Sequence, residues 1–327
     1  MERCSSREGA LAKGPKLGHE GVGYRGNGMR FRISAIGAAA ALLFASGAMA
    51  AAQPPVCPPS RPLDKPYRPS LCAFSDKDMA YVGTPRQQAL CLLPEGDLGH
   101  FHPRATLGAP LDALVGAPVS LDQAKLLALM VQAGLPYSDQ MLRTGLSHAW
   151  GGKPYGPPAR YFVIHDTSSA MGRPYFPADN DPALNRLGET YCGGGYTAHT
   201  FINRMGKVMI AYDYGSPWRA TKFEHINPWR KGLFLHNELT QPRLPRHGES
   251  LTNASLAPSP AFTDAQYRSL ALLYAAASVR AGAWLAPAFH SAIDYAWEDA
   301  HDDPRDFDLS RFNGALADIL RQAGQGH

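Results

Sequence analysis

The sequence has few cysteines, and none of its five forms a C-x-x-C pair. This counts against a zinc site built from cysteines, because such sites usually take their ligands from closely spaced pairs. An H-E-x-x-H segment is also missing. Its absence excludes the metalloprotease class that binds zinc through two histidines of one helix.

A surplus of basic residues is missing once the first 50 residues are set aside. Residues 1–50 contain seven of the 32 Lys and Arg and three of the 28 Asp and Glu, so the rest of the chain carries 25 of each sign. Proteins that bind nucleic acid usually carry a basic stripe. The sequence therefore predicts no nucleic-acid partner.

The beginning of the chain has the pattern of an export signal. Met29–Arg32 is short and basic, and the apolar stretch that follows ends in Ala48-Met49-Ala50. This stretch is too short and too rich in Ala and Gly for a membrane anchor. We therefore predict a signal peptide over residues 29–50, no stable membrane insertion after its cleavage, and a periplasmic or secreted protein. A signal that begins at residue 29 also raises the hypothesis that residues 1–28 are not translated.

Beyond the leader, cysteine and proline define the N-terminal region. Four cysteines remain there: Cys57, Cys72, Cys91 and Cys192. In an exported protein an even number indicates up to two disulfides, and three pairings are open. Seven prolines between residues 53 and 70 exclude helix and central strand and predict an extended arm. We expect residues 51–150 to form this Pro-rich arm and a helical N-terminal region, and residues 151–320 to form the main domain.

Strand and helix patterns alternate along the second half of the chain, which predicts an α/β fold with a single mixed β-sheet flanked by helices. Tyr161–Ile164 is apolar and rich in β-branched and aromatic residues, as in a buried strand. Further strands are predicted at 198–212, as a hairpin, and at 232–239 and 284–288. Helices are predicted at 120–134 with Ser120 as N-cap, at 138–149, and at 263–281 with Thr263 as N-cap. Residues 71–118 have no clear pattern.

Residues that can bind a metal follow two of the predicted strands. His165 comes directly after a buried strand, and His290 follows the last strand. The acidic pair Asp302-Asp303 comes shortly after His290. Two imidazoles and a carboxylate suit a zinc ion whose fourth position is open to water, as in catalytic zinc sites. The alternative is a hydrogen-bonded histidine at a capped strand end.

Four segments give the C-terminal half of the chain a resemblance to a known family. They are Phe162–Ser168, Ala198–Val208, Asn237–Leu239 and the final series of helix, strand, His290 and Asp303-Pro304. In their order and separation they resemble, over about residues 157–315, the zinc-dependent N-acetylmuramoyl-L-alanine amidases. That family shares its fold with phage amidase lysozymes and peptidoglycan recognition proteins.

The resemblance implies this amidase-like fold for residues 151–320 and Zn2+ as the cofactor. It also implies a peptidoglycan or muropeptide substrate, cut at the amide between N-acetylmuramic acid and L-alanine. Two other functions remain open. One is a non-catalytic peptidoglycan-binding protein on the same fold, and the other is a zinc peptidase or amidase that acts on a different amide.

Carried over residue by residue, the resemblance implies His165, His290 and Asp303 as zinc ligands. Asp303 is preferred to Asp302 because it directly precedes Pro304, as the family's ligand does. Glu238 would be the general base, and His301 stands where the family usually has a lysine that stabilises the oxyanion. The chain departs from the family at Arg305, where a glycine is expected after the proline, and in a longer spacing from His290 to Asp303. These departures put the choice between the two aspartates in question.

Several of these residues also have a plainer interpretation. Glu238 could be a solvated carboxylate at a strand end, and His199 either a partner of a metal ligand or a structural hydrogen-bonding residue. Arg219 or Lys222 could bind substrate carboxylates or be ordinary surface charges. We predict that the remaining histidines of this region lie in loops or at strand edges: His225, His236 and His247.

Overall fold

The computed structural model has, within the described residues, a five-stranded mixed β-sheet with helices on both faces. This confirms the predicted α/β fold. The structure describes residues 66–187, 197–245, 255–297 and 300–324. The predicted signal peptide, most of the Pro-rich arm, Cys57, Cys192 and His247 lie outside these residues.

The described strands are β1 (Phe74–Ser75), β2 (Ala80–Tyr81), β3 (Tyr161–Asp166), β4 (Ser169–Ala170), β5 (Thr200–Ile202), β6 (Val208–Ile210), β7 (Phe234–Leu239), β8 (Pro242–Arg243) and β9 (Ala286–Phe289). The order in the central sheet is β6-β5-β7-β3-β9. Strands β5, β7, β3 and β9 run parallel, and β6 pairs antiparallel with β5. The predicted hairpin at 198–212 is therefore confirmed, and Gly206 takes a φ of 75° in its turn.

The described helices are α1 (Pro85–Leu92), α2 (Leu111–Leu114), α3 (Gln123–Gln132), α4 (Ser138–Arg143), the turn α5 (Ala149–Gly152), α6 (Lys222–Ile226), α7 (Asp264–Ala281), α8 (His290–Ile293) and α9 (Leu309–Ala323). Helix α7 begins as predicted, because the Thr263 hydroxyl accepts the backbone N–H of Gln266 and the Gln266 side chain bonds back to Thr263. The strongest local pattern in the sequence thus gives the longest described helix.

Strand β3 lies between β7 and β9, and all six of its residues are buried. Its neighbouring residues point to opposite faces of the sheet. On one face Phe162 meets Tyr274 of α7 edge-on. On the other face Tyr161 stacks on Phe234, and its hydroxyl accepts the backbone N–H of Tyr81. Both faces are covered, so the apolar run of β3 is continuous rather than alternating.

The N-terminal part of the described chain packs into the same core as the sheet. Leu92 and Leu107 belong to one buried cluster together with Phe162 and Leu270. A disulfide joins Cys72 to Cys91, so the pairing that the sequence left open is settled for these two cysteines. At the start of the described region, the Arg68 guanidinium lies over the ring of Tyr295, 4.1 Å from its centroid.

Two predicted helices differ from the observed ones. Helix α3 begins at Gln123 and is capped by Asp122, not Ser120, because the Asp122 carboxylate accepts the N–H groups of the first turn. The helix predicted over 138–149 ends at Arg143. Beyond it the chain bonds to distant segments, since Ser147 donates its N–H to the Tyr214 carbonyl and the Thr144 carbonyl accepts from Arg280. Tertiary hydrogen bonds thus outweigh the local helical pattern.

Among the described residues, no helix combines the length and the apolar character that crossing a membrane requires.

Candidate metal centre

Three neighbouring parallel strands bring the candidate residues to one edge of the sheet. His165 lies near the carboxyl end of β3, and His290 directly follows β9. Glu238 lies on β7 directly opposite His165 in the strand register. In open α/β sheets, ligands bind outside the carboxyl ends of the strands. The topology therefore places all three residues where a site is expected.

His165, His290 and Asp303 form a buried group that could hold a metal ion. Among the described residues this is the one His/Cys/Asp/Glu triplet whose ligand atoms all lie within 4.8 Å of one another. Nδ1 of His290 is 2.9 Å from Asp303 Oδ1, and Nδ1 of His165 is 3.4 Å from Asp303 Oδ2. Both imidazoles therefore turn the same nitrogen toward one carboxylate.

The donor set fits zinc. Two imidazole nitrogens and one carboxylate oxygen are a ligand combination found in catalytic zinc sites. Asp303 Oδ1 is buried, and its 2.9 Å contact with His290 Nδ1 does not have the geometry of a hydrogen bond. The two imidazole rings are only 4.5 Å apart between centroids. A cation between these groups would satisfy the oxygen and relieve the cost of crowding buried polar groups.

Electrostatics set the protonation of these three residues. Burial, reinforced by His290, lowers the pKa of His165 to about 3, so its ring is neutral at neutral pH. Burial alone would lower the pKa of His290, but Asp303 and Asp294 outweigh it and hold that pKa well above the usual value. Burial alone would raise the pKa of Asp303, yet His290 keeps it well below its usual range. Because a metal-binding imidazole must be neutral, a metal ion at His290 would compete with a proton.

No protein-family model and no curated protein sequence matches this chain. A crystal structure of a Se-Met AmpD derivative is similar to it, with 16% sequence identity and a TM-score of 0.30. The similarity covers 53% of this chain and 92% of the other. At this level the function has to be argued from the site itself.

Glu238 and His301 flank the three residues in different surroundings. Glu238 is 8% exposed, so the interpretation as a solvated strand-end carboxylate is wrong. The His301 side chain is 42% exposed, and its Nδ1 lies 3.8 Å from Asp303 Oδ1. Burial of the ring nevertheless lowers the pKa of His301, with Asp303 opposing the shift. The lowered pKa favours the neutral ring of His301, which can offer a hydrogen bond.

Two further histidines lie beneath the site. His236 was expected at a strand edge, but it is fully buried in β7, and its Nδ1 is 3.0 Å from Nε2 of His165. His199 is also fully buried, and its Nδ1 accepts the backbone N–H of His236. His199 therefore has the structural hydrogen bond that was one of its two interpretations. Of the other charged residues considered, His225 and Arg219 are exposed, and Lys222 is half-buried.

Asp302 faces away from the histidines into a buried ion network. Its carboxylate is 3.1 Å from Arg243 Nη1 and 3.0 Å from Arg305 Nη1. Arg243 also contacts Asp166, at the end of β3, at 2.8 Å. Asp166 in turn accepts the backbone N–H of Arg305. The network thus ties the end of β3 to the segment that presents Asp303.

We expect Arg243→Met to lower the free energy of unfolding by about 3–5 kcal/mol, because it leaves Asp166 buried without its arginine partner and leaves Asp302 with Arg305 alone. Burial alone would lower the pKa of Arg243, but these two carboxylates outweigh it and raise that pKa, so the arginine is charged in the native protein. Chemical denaturation of purified variants measures the effect. The matched control is Arg143→Met, which breaks an exposed pair with Asp139 and should cost less than about 1 kcal/mol. Equal losses in the two variants would show that the network does not stabilise the fold.

Proposed function

We propose that this protein is a zinc-dependent hydrolase that cuts the amide between N-acetylmuramic acid and L-alanine in peptidoglycan. The observation that carries the proposal is the convergence of His165, His290 and Asp303, with Glu238 on the adjacent strand. The same residues occupy the matching positions in the sequence motifs that resemble the amidase family. Residues 151–320 would then be the amidase domain.

In this proposal His165, His290 and Asp303 hold the zinc ion. A zinc ion bound there would supply Lewis-acid activation of the attacking water and of the amide carbonyl. Glu238 acts as general base: it takes a proton from the attacking water and passes it to the departing amine. His301, at the exposed rim, donates a hydrogen bond to the oxygen on which negative charge develops.

Binding of the substrate is assigned to the polar rim beside the site. Arg219 is exposed, and Lys222 belongs to the same segment. Either side chain can meet the carboxylates of a stem peptide by charge attraction. Because both are cations at a rim, their loss should weaken substrate binding more than it slows the chemical step.

We further propose that the protein is exported to the periplasm or secreted, with residues 29–50 as its signal peptide and residues 51–150 as an N-terminal region. The Cys72–Cys91 disulfide supports export, because disulfides persist mainly in oxidising compartments. Peptidoglycan is present in the same compartment. The proposal includes no nucleic-acid partner and no stable membrane insertion.

Digestion of purified muropeptides tests the proposal. We expect the zinc-loaded protein to release intact stem peptide with a free L-alanine amine, as seen by mass spectrometry. A chelator should abolish the release, and added zinc should restore it. Cleavage within the stem would instead identify a zinc peptidase acting on another amide. Binding of muropeptides without any cleavage would identify a non-catalytic peptidoglycan-binding protein.

A further inference from the structure

Among the buried ionisable residues outside the proposed catalytic set, two lie close to His165. His236 on β7 and Glu224 on α6 are both fully buried. Burying such groups is costly unless each has a partner that needs it. Their contacts lead to the candidate metal centre.

The first contacts form a chain from His165 inward. His165 Nε2 is hydrogen-bonded to His236 Nδ1 at 3.0 Å, and His236 Nε2 lies 3.0 Å from Glu224 Oε2. The second contact is not aligned with the ring N–H, so it is a close polar contact rather than a well-formed hydrogen bond. The carboxylate of Glu224 is held in turn by the Ala220 N–H and the Thr221 hydroxyl.

Only one placement of the imidazole protons is compatible both with the contacts from His165 through His236 to Glu224 and with a metal ion at His165. If Nδ1 of His165 binds a metal, its proton is on Nε2 and is donated to Nδ1 of His236. The proton of His236 is then on Nε2, which faces Glu224.

His290 also contacts a buried carboxylate through the ring nitrogen that faces away from Asp303. Its Nε2 is 2.8 Å from Asp294 Oδ2. The Asp294 carboxylate also accepts the backbone N–H groups of Lys222 and Phe223, at 2.8 and 3.0 Å. Both chains of contacts therefore end on the same short stretch, residues 220–224.

Charge gives this arrangement a purpose. Burial raises the pKa of Glu224 to about 8. At neutral pH the buried carboxyl is therefore mostly protonated when no cation is near, and a divalent ion at His165 would favour its anionic form, which accepts hydrogen bonds. Metal ligands typically donate their second ring N–H to a carboxylate or another acceptor, which fixes the tautomer and the orientation of the ring.

We infer that residues 220–224 position both metal-binding histidines, His165 through His236 and Glu224, and His290 through Asp294. This inference deepens the proposed function and rests on its zinc site. Glu224, His236 and Asp294 touch neither substrate nor metal, and Lys222 takes part in this network only through its backbone N–H. They hold each imidazole with Nδ1 turned toward Asp303.

The test is the zinc affinity of the purified protein, measured by competition with a chelating dye at one pH, with circular dichroism as the check of folding. We expect His236→Leu to weaken zinc binding about 10–100-fold. His236→Asn keeps an acceptor near the position of Nδ1 and should recover most of that loss. Glu224→Gln and Asp294→Asn should each weaken binding by about tenfold or more.

A double-mutant cycle tests whether Glu224 acts through His236. Glu224→Gln should have little effect on zinc affinity when His236 is already leucine, because the connecting ring is gone. The control for general destabilisation is Ser269→Ala on α7, which removes a buried hydrogen bond to the carbonyl of Gly206 in the β5–β6 turn. Ser269→Ala should lower stability and leave zinc affinity unchanged.

Three results would overturn the inference. If folded Glu224→Gln and Asp294→Asn bind zinc as tightly as the wild type, the positioning inference is wrong and the proposed function is unaffected. Equal losses in His236→Asn and His236→Leu would give His236 a merely structural role. A wild-type protein that binds no zinc would overturn both proposals. If His236→Leu does not fold, the Glu224, Asp294 and His236→Asn variants still decide the question.

Discussion

Asp303→Asn is expected to abolish both zinc binding and amide hydrolysis. Asp303 faces both histidines from a buried position, and its carboxylate supplies the negative charge that a divalent ion needs there. Asparagine has nearly the same size and no charge. Removing a ligand should weaken zinc binding more than removing a residue that only hydrogen-bonds to a ligand. We therefore expect zinc affinity to fall by more than about 100-fold and hydrolysis to fall to the background rate.

The matched control is Asp302→Asn, one residue away. Asp302 contacts Arg243 and Arg305 instead of the histidines, so this variant should lose stability and keep its zinc. The metal content after dialysis and the digestion of muropeptides measure the two effects. If Asp302→Asn loses the metal and Asp303→Asn keeps it, the ligand is Asp302, the choice that the unusual Arg305 had left open.

The sequence predicted best what depends on neighbouring residues. The apolar run of β3 and the Thr263 N-cap of α7 are local patterns, and the structure confirms both. The strands β1 and β2 could not be assigned from the sequence. They have two residues each, too few to show a periodicity, and their position depends on aromatic packing such as Phe74 against Tyr81.

The candidate site was predictable in part because parallel strands align their carboxyl ends. Residues that follow such strands meet at one edge, so His165 and His290 could be paired from sequence. His236 was missed because its role depends on the register of β7 against β3. One signal was present: His236 is two residues before Glu238, so the two side chains share a face of the strand. Glu224 and Asp294 had no such signal, because only the tertiary fold brings residues 220–224 and Asp294 close to the two histidines.

Glu238→Gln is expected to lower kcat by about 10²–10⁴-fold with zinc binding unchanged. Glutamine keeps the size of the side chain and its place opposite His165, but it cannot accept the proton of the attacking water. The ligand atoms belong to other residues, so the metal should remain bound. Steady-state kinetics on muropeptides and the metal content of the same preparation measure the two properties.

The control is Glu95→Gln, a substitution at an exposed glutamate that pairs with Arg104, which should leave kcat and zinc content as in the wild type. A second experiment separates proton transfer from simple charge. If Glu238 only stabilises the bound cation, Glu238→Gln will bind zinc more weakly and regain kcat when zinc is saturating. If Glu238 moves the proton, kcat stays low at every zinc concentration. Full activity in Glu238→Gln would remove Glu238 from the chemistry and leave the zinc site in need of another base.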